Sequence, residues 1–177
     1  MGRSTGIQRI GATLFMVATM AGCPVSDNGE AIKPAPTSRV AMVPVEGEVL
    51  AGQLVSLVNA ARAEHGVKPV HESPILTQLA EDFCTRMIEG GFFAHVDPET
   101  DSSPLKRALA ANYLCLAVGE NLAAGQTSPA AVLDDWMASA EGHRENILSA
   151  QWDEIGASVC TGGEYGVYWV LEFGNRP

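Results

Sequence analysis

DDWMASAEGHRENIL, residues 134–148, runs from a helical pattern into a lone histidine held between Gly142 and Arg144. Ser128-Pro129 reads as N-cap and first position of the preceding helix, with Val132, Leu133 and Trp136 on its inner face. Gly142 is placed to let the backbone turn into a next short helix and present His143. A histidine there could cap a helix, pack in a core, or form half of a site completed elsewhere in the chain.

Working outward, the same helix punctuation recurs. Ser73-Pro74 opens a helix with Leu76, Leu79, Ala80, Phe83 and Met87 on one face, stopped by Gly90-Gly91. Ser103-Pro104 opens a shorter one, to about Ala111. From Glu48, the residues Leu50, Leu54, Leu57, Val58 and Ala61 recur at spacings of three and four until His65-Gly66. His65 then stands as a cation near a helix C-terminus, and His71, just before a helix start, reads as structural. Strands come late: Ile155–Cys160 and Val167–Phe173 flank the turn TGGEYG and form an antiparallel hairpin, with a further strand expected over Leu114–Val118. In the last strand Val167, Trp169, Leu171 and Phe173 predict a buried face, and Tyr168, Val170 and Glu172 a mixed one. Helices around a small antiparallel sheet define a layered α+β domain.

The 177 residues suffice for one domain, and 46% hydrophobic with 18% charged residues is the composition of a folded protein. Residues 1–22 read as an export signal: Arg3 and Arg9, a 12-residue apolar stretch from Ile10 to Ala21, then Gly22 before Cys23. Twelve residues are too few to cross a bilayer. The segment ending Met20-Ala21-Gly22-Cys23 resembles a bacterial lipobox, which implies cleavage before Cys23 and lipid attachment there; an ordinary secretory signal is the alternative. Residues 23–47, with four prolines and no sustained period, suit a tether, and 48–177 form the domain. The net charge of −10 becomes −12 without Arg3 and Arg9, which argues against nucleic acid and leaves the lipid as the membrane contact. Beyond Cys23, an oxidising compartment favours one disulfide among Cys84, Cys115 and Cys160, with the pairing open.

Five stretches stand in a set order: LVSLVNAARAEHGVKPV (54–70), GFFAH (91–95), VGENLAAG (118–125), DDWMASAEGHRENIL (134–148) and YWVLEFG (168–174). Together they resemble the CAP superfamily, in its bacterial SCP-like extracellular form, over about Leu50 to Gly174. The resemblance implies a three-layer α-β-α sandwich with an open cleft where two histidines and acidic residues converge and can hold zinc or another divalent metal. By motif, the ligands it implies are His95, Glu120 and His143. Many eukaryotic members carry a second glutamate three residues after the helix tryptophan; here that position is Ser139, and Glu141 is the nearby substitute. Two imidazoles and a carboxylate are a donor set zinc accepts, with a position left for water. Trp136 and Trp169 read as core, Asn121 as a turn-holding amide, and Arg144 and Glu145 as solvated or locally paired.

The reading that follows is a lipid-anchored protein of the bacterial cell envelope that uses its cleft for binding. Two alternatives stand beside it: a metal-assisted hydrolase of peptide or cell-wall material with Glu120 as base, and a lipid or sterol carrier. Soluble secreted or periplasmic placement is the alternative to the anchor. No GxSxG elbow or HExxH motif is present, and Cys84, on an apolar helix face, has no evident activating histidine.

Overall fold

The computed structural model describes residues 40–177; the expected export signal and Cys23 lie outside the described residues. Five helices and four strands follow in the order α1 (Gly47–Glu64), β1 (His71–Glu72), α2 (Pro74–Gly90), α3 (Pro104–Ala110), β2 (Ala117–Ala124), α4 (Pro129–Ala138), α5 (His143–Ile147), β3 (Glu154–Gly162) and β4 (Gly166–Asn175). All three Ser-Pro pairs start helices. The hydroxyls of Ser103 and Ser128 accept from the amides of Lys106 and Ala131, whereas Ser73 makes no such cap bond.

The sheet order is β1-β3-β4-β2. β2 and β3 each run antiparallel to β4, the β3–β4 pair being the predicted hairpin, while the two-residue β1 adds a parallel edge beside β3 and makes the sheet mixed. β2 begins at Ala117, not Leu114, so the GEN stretch lies within a strand rather than after one. The reason lies across the sheet: eight consecutive residues from Ala117 to Ala124 find partners on β4.

Both faces of the sheet are covered. On one, Leu54 and Val58 of α1, Trp136 of α4 and Ile147 of α5 pack on Val159, Trp169, Leu171 and Phe173. On the other, Phe83, Cys84, Met87 and Ile88 of α2 pack on Leu122, Cys160, Tyr168 and Val170. The mixed face expected of β4 is therefore buried too, Glu172 included. Gly156 permits the close packing of α2: a Cβ there would lie 2.2 Å from the backbone of Leu76 and Thr77.

The residues before α1 are tied to the sheet where they are described, with Met42 and Thr161 exchanging both backbone hydrogen bonds. Arg62 is buried within α1. Its guanidinium donates to the carbonyls of Ile147 (2.6 Å) and Ser149 (2.9 Å), anchoring the end of α5. Asn121 secures the start of α5 by donating to the His143 carbonyl (3.1 Å) and accepting from Asn146 (2.9 Å). Gly142, at φ 93°, makes the left-handed turn between α4 and α5.

Candidate functional site

The site forms at the β2 edge of the sheet, where the two helical layers meet around one strand. Glu120 points to the α2 side and Asn121 to the α5 side, as alternation in β2 requires. His95 follows α2, and its Nδ1 lies 2.6 Å from Glu120 Oε1. The other Glu120 oxygen accepts from Arg107 of α3. Arg107 also donates to the carbonyls of His95 (3.0 Å) and Ser102 (3.1 Å), and its guanidinium lies over the Phe83 ring, 3.3 Å from the centroid. Glu172, the β4 ladder partner of Glu120, sits 3.6 Å from the same guanidinium.

One buried cation thus faces two buried carboxyls, whose side chains are 1% and 3% exposed. Burial pushes Glu120 up to about 7, with Arg107 working against the rise. Burial, and then the charge of Glu120, push Glu172 well above the usual range. The consistent state has Glu172 protonated beside an ionised Glu120 that pairs with Arg107. Burial lowers His95 to about 4, so its ring is neutral at pH 7 and donates Nδ1–H to Glu120.

His143 stands on the other wall. Its Nδ1 is 3.3 Å from Ser139 Oγ, and its ring centroid is 6.4 Å from that of Trp136. Burial lowers its pKa, and the nearby His95 adds to the effect, so the two imidazoles share one electrostatic neighbourhood. Ser139 orients His143 and also accepts from the Glu141 amide (3.0 Å).

The structure therefore brings His95 to Glu120 and His143 to Ser139. Among the described residues no three His, Cys, Asp or Glu side chains form a group able to hold a metal ion. Glu120, with both oxygens engaged, does not fit a direct zinc ligand. Its bond to His95 orients that imidazole.

A cavity of about 320 Å³ opens along the β2 edge, at the lower end of the range for small-molecule pockets. Phe93 and Tyr165, with rings 5.7 Å apart, line one wall; Trp136, Ser139, Glu141 and His143 line the other. Gly125 donates to Val167 across the ladder, so by alternation the main-chain groups of Leu122 and Ala124 face outward into this edge. Trp136 Nε1 takes the Leu122 carbonyl (3.0 Å). Trp136 is thus core, as expected, and also cavity wall. Glu141 Oε2 and Gln126 Oε1, buried in the same lining, have no hydrogen-bond partner among the described residues.

The sequence profile of the CAP family, described as the cysteine-rich secretory protein family, matches residues 55–173. The chain belongs to the CAP family. Its CAP domain is 34% identical over 121 residues to an uncharacterized protein, YkwD, of Bacillus subtilis, covering 68% of this chain and 45% of that one. The chain thus spans less than half the length of that relative. Among solved structures, an extracellular SCP-domain protein from Bacillus anthracis superposes with a TM-score of 0.66 at 25% identity, covering 73% of this chain and 41% of the other. An outer surface protein from Borrelia burgdorferi shares the fold at 0.65 and 20% identity, covering 71% and 92%.

Arg107 and Glu172 were not among the residues singled out for this CAP site from the sequence. Glu172 did leave a signal, a lone acid in an apolar strand. Arg107 left none, since an arginine beside Lys106 on a short helix reads as a solvated charge.

Proposed function

We propose that this CAP domain is an extracytoplasmic, envelope-associated binding module whose cleft takes a peptide-like ligand rich in hydrogen-bond donors. The observation that carries this reading is the cavity lining, in which the acceptor-bearing side chains of Gln126 and Glu141 stand beside the outward main chain of Ala124. A ligand N–H that reached these side-chain oxygens would gain about 0.5–1.5 kcal/mol for each hydrogen bond. The outward main chain of β2 offers further pairing to an extended peptide, and Phe93, Tyr165 and Trp136 offer apolar contact. Stem peptides of the cell wall carry this chemistry. Placement outside the cytoplasm rests on the export-like first 22 residues, with anchoring through Cys23, and on the extracellular and outer-surface descriptions of the structural relatives.

The test is calorimetric titration of the full chain with a soluble cell-wall stem pentapeptide. Glu141→Gln with Gln126→Leu should weaken binding about tenfold or more, equivalent to about 1.4 kcal/mol. Unchanged affinity in that double variant would remove the cleft as the binding site.

A second reading, a divalent-metal site on the two imidazoles, is favoured by the Nδ1 bond of His95 to Glu120, which leaves the other ring nitrogen for a ligand. Zinc titration tests it: binding should be lost in His95→Ala and in His143→Ala, and binding that survives both removes it. Hydrolysis through Glu120 is less favoured, because its oxygens are committed to His95 and Arg107.

A further inference from the structure

Three cysteines lie in the described part of the chain, and the fold treats them differently. Cys84 is on the inner face of α2, and Cys160 is on β3. Both are fully buried in the same apolar cluster. Cys84 Sγ donates to the Tyr168 carbonyl at 3.5 Å, and Tyr168 is the ladder partner of Cys160. Cys84 and Cys160 thus converge on one residue of β4, and Ser158 Oγ lies 3.9 Å from Cys160 Sγ. Cys115 instead precedes β2, half-buried beside Ile75 and Val118 in a separate cluster.

From this placement we infer that Cys84 and Cys160 are disulfide partners, joined covalently when the chain folds in an oxidising medium, and that Cys115 stays a thiol. Side chains buried in one cluster need little backbone movement to bond, whereas a bridge to Cys115 would have to draw residues out of separate clusters. The bond would tie α2 to β3, and α2 carries Phe83, on which Arg107 rests, and leads directly into His95. It would thereby hold one wall of the cleft. Formation of the bond in cells rests on the extracytoplasmic reading above; the pairing itself does not.

The chemistry is thiol–disulfide exchange with an external disulfide. The Cys160 thiolate attacks one sulfur of the external disulfide and releases a first thiolate. The Cys84 thiolate then attacks the Cys160 sulfur of the mixed disulfide and releases the second. The two cysteine protons pass to the released thiolates, and the external disulfide takes the two electrons. Because the environments that distinguish the two thiols arise only in the folded domain, the roles of Cys84 and Cys160 in this exchange are interchangeable. Because the folded domain covers both sulfurs, exchange takes place before α2 closes over the sheet.

The test is to refold the full chain from urea and reductant in a buffer of reduced and oxidised glutathione, alkylate free thiols, digest, and map peptides by mass spectrometry. One linkage joining the Cys84 and Cys160 peptides is expected, with Cys115 alkylated, and Cys115→Ala should keep that linkage. The oxidised protein should melt about 5–15 °C above the reduced one. A linkage of Cys84 or Cys160 to any other cysteine, or alkylation of both in the refolded protein, overturns the pairing. A bond that forms in glutathione but is reduced in protein isolated from cells keeps the pairing and overturns the export reading.

Discussion

Replacing Arg107 with methionine tests the electrostatic core of the site. The substitution keeps an unbranched side chain over Phe83 but removes the counter-charge of two carboxyls that are 1% and 3% exposed. Taking one partner from a buried ion pair costs about 3–5 kcal/mol, because the remaining charge has neither water nor partner. Two further hydrogen bonds, to the carbonyls of His95 and Ser102, are lost with it. The expected loss of about 3–5 kcal/mol is a large share of the 5–15 kcal/mol that holds a typical domain.

The loss should also depend on pH. A carboxyl whose folded pKa is raised is protonated in the folded chain and ionised in the unfolded one between the two pKa values. Its contribution to stability therefore falls as pH rises through that window. For Glu120 the window runs from 4.5 to about 7, and without Arg107 it extends higher. The gap between wild type and variant should accordingly be wider at pH 8 than at pH 5. Urea unfolding followed by tryptophan fluorescence, in chelator and at both pH values, measures it. A loss below about 1 kcal/mol at pH 8, or a gap that does not change with pH, would refute the reasoning.

His95 acts in the opposite sense. Its folded pKa of about 4 lies below the ordinary 6.5, so its contribution is lost as pH falls through that range. Across pH 6.5 to 4.5 it opposes Glu120 and Glu172, so His95→Gln should gain more stability on acidification than the wild type does; urea midpoints in chelator decide this. Gly156→Ala would place a Cβ 2.2 Å from the Leu76 and Thr77 backbone. It should cost about 1–3 kcal/mol or more and lower the melting temperature by about 2–4 °C per kcal/mol, and an unchanged calorimetric melt would show that α2 can yield there.

The sequence alone determined the parts that depend on near neighbours. Ser-Pro pairs start α2, α3 and α4 because proline suits a first helical turn, and Gly91, left-handed at φ 66°, ends α2. The glycine-bearing turn specified the β3–β4 hairpin, and five ordered motifs carried the family. Only the tertiary structure decided what each polar group does. Glu120 reads as a metal ligand in its motif, yet it meets Arg107 from α3 and Glu172 from β4, partners that no spacing along the chain announces. Asn121, expected to hold a turn, instead clamps α5 through the His143 carbonyl. The full length of β2 and the burial of Cys84 and Cys160 in one cluster were likewise hidden. The physical reason is common to all four: helix starts and turns are settled by interactions within a few residues, whereas a buried charge, amide, strand edge or thiol is settled by whichever remote segment the packing sets against it.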